Sequence, residues 1–226
     1  GVDTTIFNRA APKFKTRRNP DTTVFFNIGK WEIRKGHDVL AAAFQKAFPG
    51  NEDVSMLMVN HNPFISPEAD LAWKNMYREL LGDKVKFLPR FQTHEQVANF
   101  IKECDCGVFP ALAEGWNMEL MESLACGKHV IATNVTAHTE YLTADNAFLI
   151  NLSDQLVPAV DNVFFHGDRK WHTFDDDSID CLVEHLRTVH QIKQSGELKE
   201  NTDGVKTAAE FSWENTARSI VNGLTA

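Results

Sequence analysis

The apolar residues of this chain cluster in six short runs that are separated by longer amphipathic stretches. Several runs are apolar at successive positions, as expected for strands that are covered by helices on both faces. The runs are residues 24–28 (VFFNI), 54–59 (VSMLMV), 85–88 (VKFL), 107–109 (GVF), 129–132 (HVIA) and 147–150 (AFLI). We interpret each run as a β-strand.

The stretches between the runs carry apolar residues at helical spacing. Three such stripes are Val39, Leu40, Ala43, Phe44 and Ala47; Leu71, Met76, Leu80 and Leu81; and Val97, Phe100 and Ile101. Strands that alternate with helices through short connections predict an α/β fold. We therefore expect a Rossmann-like doubly wound parallel sheet of about six strands, with helices on both faces.

The two ends of the chain depart from this alternation. Residues 1–21 are polar and contain prolines, and such a composition buries little surface, so we interpret them as a leader or linker. Residues 151–175 look irregular, with a strand predicted only near residues 163–165. Helical patterns return near residues 176–194, 197–210 and 213–224.

Composition and charge narrow the class of protein. The 226 residues contain 23 Lys and Arg against 31 Asp and Glu, a formal net charge of −8. This acidic balance argues against a protein dedicated to nucleic acid or anionic membranes, but it is compatible with one local basic pocket. No run of 18 apolar residues predicts a membrane-spanning helix, and the N-terminus does not resemble a signal peptide.

The four cysteines are Cys104, Cys106, Cys126 and Cys181, and their spacing does not match a zinc site. The first three lie in apolar stretches, so we interpret them as buried free thiols of a reducing compartment. A cytoplasmic protein is therefore expected.

The loop at residues 29–36 is the first candidate site, because ligands of doubly wound sheets bind beyond the carboxyl ends of the strands. Gly29 ends the first strand, Gly36 precedes a helix, and Lys30 and Lys35 lie between them. Ammonium groups neutralise a diphosphate, and glycines let the backbone approach a ligand closely. A solvated basic turn is the alternative. No P-loop and no Gly-x-Gly-x-x-Gly motif occurs, which weakens the NTPase and dehydrogenase interpretations.

The second candidate is the loop and helix at residues 113–127. Asn117 is a suitable N-cap and Gly127 ends the helix, whose N-terminus presents free amides and partial positive charge to an anion. Glu122 is an acid among buried positions of this helix, so we expect it to have hydrogen-bond donors, from the protein or from ligand hydroxyls.

Glu114 and Glu122 are separated by about 12 Å along a continuous helix axis. This distance is too long for two carboxylates that act on one bond. The two acids are therefore expected to address different parts of a long ligand. The alternatives are that Glu114 is a plain loop acid and that Glu122 is a plain helix-face acid.

The segment EGWNMELMESLACG has the spacing Glu-x7-Glu at Glu114 and Glu122, and Gly29-Lys30 and Lys35-Gly36 form a paired basic motif. In these features the chain resembles the C-terminal, donor-binding domain of retaining glycosyltransferases of the GT-B fold, of the family-four or group 1 type. Residues 85–116, 127–142 and 211–217 are similar to that family too. The resemblance covers residues 22–150 and resumes at 211–217.

The resemblance implies a nucleoside-diphosphate sugar as the donor substrate. In that case Lys30 and Lys35 contact the diphosphate beside Gly29, and Glu122 binds the ribose hydroxyls. Glu114 holds the sugar and the distal phosphate together with the backbone amides of Gly115, Trp116, Asn117 and Met118, and the base meets the backbone around Arg90. We assign Glu114, Lys30 and Lys35 to catalysis and the other residues to donor binding. Family members are typically metal-independent, so no metal and no cofactor besides the donor is expected.

Three departures from the family pattern bear on the preferred donor. Lys30 replaces the usual arginine, Asn117 stands where glycine is common, and Thr136-Ala137 replaces a glycine pair. A point charge at Lys30 lacks the bidentate geometry of a guanidinium.

A GT-B enzyme also has an N-terminal domain that binds the acceptor and often supplies a catalytic histidine. Residues 22–226 are therefore expected to be the nucleotide-sugar-binding domain of a longer enzyme whose acceptor domain is absent here. Any membrane contact is expected through that missing half. None of the histidines matches the catalytic one, and His61, His94 and His138 are interpreted as turn or helix-cap residues.

The leading hypothesis is the donor-binding domain of a hexosyltransferase that transfers a sugar to an acceptor hydroxyl with retention of configuration. Two alternatives stay open: a non-catalytic nucleotide- or carbohydrate-binding module, and half of a sugar-nucleotide epimerase.

Overall fold

The computed structural model of the protein describes residues 1–12, 19–161 and 163–225. Its centre is a parallel sheet of six strands, one at each apolar run. The strands are β1 (Thr23–Gly29), β2 (Val54–Asn60), β3 (Val85–Phe87), β4 (Cys106–Phe109), β5 (His129–Thr133) and β6 (Phe148–Ile150). They lie in the order β3-β2-β1-β4-β5-β6, which confirms the predicted Rossmann-like α/β fold.

Helices cover both faces of this sheet. In the described residues they are α1 (His37–Ala47), α2 (Pro67–Leu81), α3 (His94–Glu103), α4 (Met118–Ala125), α5 (Asp176–Gln194), α6 (Thr202–Glu210) and α7 (Trp213–Thr225). Helices α1, α2 and α5 pack on one face, and α3, α4 and α6 pack on the other.

The neighbours Phe25 and Phe26 of β1 illustrate why the strands are apolar at successive positions. Side chains alternate between the faces of a strand, so consecutive residues enter different cores. Phe25 meets Phe44 edge-on at 5.7 Å, and Phe26 meets Phe100 of α3 at 5.6 Å. Both phenylalanines are fully buried, and the central strand therefore joins two hydrophobic cores.

An antiparallel hairpin follows the sheet where we expected irregular chain. It comprises β7 (Ser153–Val160) and β8 (His166–Thr173). The strand predicted at residues 163–165 was wrong, because these apolar residues lie in the turn. There Oδ1 of Asp161 accepts hydrogen bonds from the amides of residues 163, 164 and 165 at 2.8–2.9 Å. Most residues of the paired strands are exposed or only partly buried. The apolar stretch of β7 at residues 156–160 (LVPAV) contains a proline, which is uncommon inside a strand.

The N-terminal segment buries more than its composition predicted. Val2 and Phe7 are each 1% exposed, and Val2 forms a parallel bridge with Ser212. Two apolar side chains in a polar segment suffice to dock it on the core beside α3 and α4. Positions 13–18 of the expected leader lie outside the described residues.

Two helical predictions also need correction. Helix α6 begins at Thr202 instead of residue 197, because the side chain of Asn201 caps it by accepting from the Gly204 amide at 2.8 Å. In α2, Leu71 is exposed, whereas Tyr77 is fully buried. Leu71 therefore does not belong to the buried face of α2, and Tyr77, which the predicted stripe omitted, does belong to it.

From β1, the chain first adds β2 and β3 on one side and then β4, β5 and β6 on the other side. The switch point of the sheet therefore lies between β1 and β4. At such a switch point the loops after neighbouring strands diverge and leave a crevice. No helix among the described residues has the length and apolarity required to cross a membrane. All four cysteines are free thiols, and three of them are buried.

Candidate functional site

Two cavities open at the carboxyl edge of the sheet, next to the switch point. The first, here the Glu122 cavity, has a volume of about 450 Å³ and is lined by β-strand ends, the loop before α3, and α4. The second, here the Glu114 cavity, has a volume of about 460 Å³ and lies between the two candidate loops and the β7–β8 hairpin. Lys30 lines both cavities.

The predicted site residues divide between these cavities. Gly29, Lys30, Arg90, Met118 and Glu122 line the Glu122 cavity. Lys30, Glu114 and Gly115 line the Glu114 cavity. Lys35, Trp116 and Asn117 line neither cavity. Lys35 contacts Glu114, and Trp116 and Asn117 are the chain neighbours of Gly115 and Met118.

Gly36 allows the loop at residues 29–36 to pack closely against the loop after β4. Its φ is +68°, and a Cβ atom there would lie 2.0 Å from the carbonyl oxygen of Pro110. A side chain is therefore excluded by both conformation and space. The contact continues with a hydrogen bond of 2.8 Å from the Leu112 amide to the Arg34 carbonyl.

Glu114 is the centre of a buried ion-pair network between the two loops. Lys35 donates to Glu114 Oε1 at 2.5 Å, and Arg34 donates to Oε2 at 2.9 Å. Arg34 also donates to Glu32 at 2.7 Å. Burial by itself would raise the pKa of Glu114, but the positive charges of Lys35 and Arg34 outweigh it and hold that pKa below its usual value. Glu114 is therefore ionised and already neutralised.

The backbone of Glu114 is held by Thr136, one of the residues that replaces a glycine pair. The Thr136 hydroxyl accepts from the Glu114 amide at 2.9 Å. Thr136 has a φ of +51°, which is unusual for a β-branched residue. The conformation for which a glycine would be favoured is thus retained, and the hydroxyl adds a hydrogen bond to the site.

Lys30 and Lys35 differ in their surroundings. The Lys35 ammonium is held by Glu114 and lies about 4.0 Å from the position of a Cβ on Gly29. Lys30 is 45% exposed and 3.9 Å from Glu32. Its Nζ lies over the rings of Phe64 and Phe164, at 5.1 and 5.5 Å from their centroids. Lys30 therefore keeps an accessible charge at the junction of the cavities.

The start of α4 is shaped by Asn117, the predicted N-cap. Asn117 has a φ of +68°, and its side chain accepts from the Leu120 amide at 3.3 Å. Its Nδ2 contacts Nε2 of the buried His138 at 3.0 Å, while Nδ1 of His138 lies 2.7 Å from the Thr133 carbonyl. The carbonyl can only accept, so Nδ1 carries the proton and Nε2 accepts from the amide. Burial lowers the pKa of His138, in keeping with a neutral ring.

This cap leaves backbone donors free at the edge of the Glu122 cavity. The amides of Met118 and Glu119 donate to no described residue, as expected for the first turn of a helix. The adjacent Trp116 ring turns inward and packs against Tyr141 and Phe211 at 5.1 and 5.2 Å. Only the backbone of Trp116 remains available for the predicted role.

Glu122 is buried in the wall of its cavity without a protein donor. It is 8% exposed, and within the described parts of the chain its carboxylate makes no hydrogen bond or ion pair. Burial, and then the charge of Glu119, raise the pKa of Glu122 to about 8. The described residues therefore supply no hydrogen-bond donor to this carboxyl group.

Sequence reasoning missed several residues of the site. Arg34 was the third cation of a loop that had been selected, so its charge was a usable signal. His61 and His94, interpreted from the sequence as turn or helix-cap residues, also line the Glu122 cavity, together with Gln92 and Thr93. Phe164, Phe165 and Arg169 of the hairpin line the Glu114 cavity, and no local pattern indicated them. Within the described ranges, no three His, Cys, Asp or Glu residues form a group that could hold a metal ion.

Comparison with known proteins is consistent with this geometry. Residues 8–169 match the model of a family described as glycosyl transferases group 1. A D-inositol 3-phosphate glycosyltransferase of Segniliparus rotundus is 25% identical over 226 aligned residues, covering 98% of this chain and 44% of that protein. The chain thus spans less than half the length of this relative.

Solved structures show the same fold. Sucrose-phosphate synthase from Thermosynechococcus elongatus superposes with a TM-score of 0.75 at 19% identity, over all of this chain and 50% of the other. HepE from Anabaena, solved in complex with UDP and glucose, superposes with a TM-score of 0.68 at 17% identity, over all of this chain and 55% of the other.

Proposed function

The chain belongs to the glycosyl transferases of group 1, and we propose that it forms the donor-binding part of a hexosyltransferase. In this proposal the donor is a nucleoside-diphosphate sugar, and the hexose passes to an acceptor hydroxyl with retention of configuration. The acceptor site belongs to a further domain, since the relatives are about twice as long.

One observation carries the proposal: Lys30 lines both cavities, with Glu122 in the wall of one and Glu114 in the wall of the other. A diphosphate next to Lys30 would direct its nucleoside into the Glu122 cavity and its sugar into the Glu114 cavity. An elongated ligand of this kind meets the two acids at different points.

Each end of the donor finds suitable groups. Ribose hydroxyls would donate to Glu122, which has no donor among the described residues. The base would lie along the backbone near Arg90, which lines the same cavity. At the other end, Glu114 would accept from sugar hydroxyls, as an ionised carboxylate does. The free amides at the start of α4 would donate to the distal phosphate.

The same groups would assist the reaction. As the bond from sugar C1 to the phosphate oxygen breaks, negative charge grows on the diphosphate and positive charge grows on the sugar. Lys30, Lys35 and the α4 amides would stabilise the departing diphosphate, and fixed charges of this kind are a large contribution to catalysis. The acceptor oxygen would bond to C1 on the face that the diphosphate leaves, and its proton would pass to a phosphate oxygen.

Isothermal titration of the chain with UDP, GDP, ADP and their hexose conjugates tests the donor assignment. UDP is the first probe because HepE, of the same fold, was solved with UDP. We expect one nucleoside diphosphate to bind with micromolar affinity, and Glu122→Gln to weaken it. Glu79→Gln is the matched control, because Glu79 is exposed on α2 and lines neither cavity. No binding of any of the three at millimolar concentration would overturn the proposal.

Activity separates an enzyme from its alternatives. When the full-length protein is supplied with the donor that binds, we expect sugar transfer to an acceptor. Binding without transfer would identify a binding module, and interconversion of free sugar nucleotides would identify an epimerase. Since the buried thiols suit a reducing compartment, we also propose a cytoplasmic location.

A further inference from the structure

The β7–β8 hairpin forms one wall of the Glu114 cavity, and contacts of its turn hold it in place. Phe164 at its turn meets Phe64 edge-on with centroids 5.1 Å apart, and Phe165 packs on Trp171 at 5.4 Å. Asp161 fixes the turn through three backbone amides. These contacts hold the hairpin, and Arg169 of β8 reaches the same cavity as Glu114 and Gly115.

The charges that line this cavity do not balance. Arg34 bridges Glu32 and Glu114, and Lys35 takes the second oxygen of Glu114, so both carboxylates are neutralised. Lys30 lies at the junction of the two cavities and is assigned to the diphosphate under the proposed function, as is Lys35. The side chain of Arg169 is exposed, and its guanidinium makes no ion pair or hydrogen bond with any residue in the described part of the chain. Among the described residues, a cation without a counter-ion therefore remains in the Glu114 cavity, the cavity that does not take the nucleoside under the proposed function.

We propose that Arg169 is a specificity-determining residue that binds an anionic group, a carboxylate or a phosphate, on the sugar side of the substrate. The inference rests on the proposed function, because it assumes that the diphosphate lies at Lys30. A guanidinium suits this task, since its planar fork pairs with carboxylate or phosphate through two parallel hydrogen bonds. The anion belongs either to the donor sugar or to the acceptor that approaches it.

The neighbouring Lys170 provides a matched control. Successive side chains of a strand point to opposite faces, and Lys170 does not line the cavity. Both residues are exposed on β8 and carry the same charge. Arg169→Gln and Lys170→Gln therefore change the net charge equally, and only the former removes a cation from the site.

Two titration arms distinguish the sources of the anion. In the first, the chain and both variants are titrated with UDP, UDP-glucose and UDP-glucuronate. In the second, glucose and glucose 6-phosphate are titrated into the full-length protein and its two variants, each saturated with the nucleoside diphosphate that binds, because the acceptor site is proposed to lie in a further domain. We expect one anionic ligand to bind at least about tenfold more tightly than its neutral counterpart, as a charge-assisted pair allows. Arg169→Gln should abolish this preference, and Lys170→Gln should retain it.

The outcomes separate this inference from the proposed function. If a nucleoside diphosphate binds but neither arm favours the anionic ligand, the role of Arg169 is refuted and the donor assignment stands. A preference that survives in Arg169→Gln, or disappears equally in Lys170→Gln, also refutes it. If no nucleoside diphosphate binds, the proposed function fails first and this inference fails with it.

Discussion

The ammonium of Lys35 lies 2.5 Å from the carboxylate of Glu114, although 79 positions separate the two residues in the chain. Their side chains are 15% and 6% exposed, so the pair is largely shielded from water. It joins the loop after β1 to the loop after β4 across the switch point of the sheet. The pair therefore links the two candidate loops directly.

A double-mutant cycle with Lys35→Met and Glu114→Gln should reveal strong coupling between these residues. Contacting residues in one ion-pair network typically couple by about 0.5–3 kcal/mol. We expect a value near the upper end of that range, because burial limits screening by water. The free energies of unfolding of the four proteins in urea give the coupling energy. Additive effects of the two substitutions would contradict an energetic link between the loops.

Removal of either site lysine should weaken a nucleoside diphosphate but not the free nucleoside. For Lys30→Ala and Lys35→Ala we expect about a tenfold or larger loss of affinity for UDP, the usual effect of one charge-assisted hydrogen bond. Uridine should lose less than about twofold, since it carries no phosphate charge. Lys46→Ala is the control, as Lys46 pairs with Asp180 outside both cavities. An equal loss for UDP and uridine would refute the diphosphate assignment.

Glu122 should make the protein less stable as the pH rises. Its pKa is about 8 in the folded protein and near 4.5 in the unfolded chain. Between these values the folded state keeps a proton that the unfolded state has released, so stability falls with increasing pH. Relative to Glu122→Gln, the wild type should lose on the order of 3 kcal/mol between pH 5 and pH 8.5. Urea unfolding of both proteins at pH 5 and pH 8.5 measures this loss. If the free energies of unfolding of the wild type and of Glu122→Gln changed equally with pH, the effect would be ruled out.

Donor binding should expel the proton of Glu122. Hydroxyl groups that donate to a carboxylate stabilise its charged form and lower its pKa, so a mostly protonated Glu122 would ionise at pH 7. On binding one UDP, we expect the wild type to release up to about one proton more than Glu122→Gln releases. Calorimetric titrations in buffers with different ionisation enthalpies count these protons. The comparison with the variant cancels the ionisation of the ligand, and equal counts would separate Glu122 from the ribose.

At Asn117, glycine should be tolerated better than alanine. The φ of +68° costs a non-glycine residue about 1–2 kcal/mol, and loss of the cap costs about 0.5–2 kcal/mol. We expect Asn117→Ala to destabilise the protein by about 2–3 kcal/mol, and Asn117→Gly by about 1 kcal/mol, because glycine adopts this conformation freely. Urea unfolding of the wild type and of both variants shows which substitution lowers the free energy of unfolding more. If glycine proved the more costly, the contact with His138 would outweigh the backbone conformation.

Much of the sheet and several elements of the site followed from local signals. The apolar runs predicted all six strands of the sheet, since strands buried on both faces are apolar throughout. Asn117 and Gly127 marked the ends of α4, because caps act through neighbouring backbone groups. The β7–β8 hairpin escaped this reasoning, since the apolar stretch of β7 contains a proline and most residues of both strands are not buried.

By itself, the sequence determined the alternation of elements, their burial and the loops in which the site lies, because periodicity, capping and glycine conformation act within a few residues. Only the tertiary structure decided that Lys35 and Arg34 neutralise Glu114, that no described residue donates to Glu122, and that Arg169 reaches the Glu114 cavity. These relationships join segments that are distant in the chain. They depend on strand order and on how the loops and the hairpin pack, which no local pattern encodes.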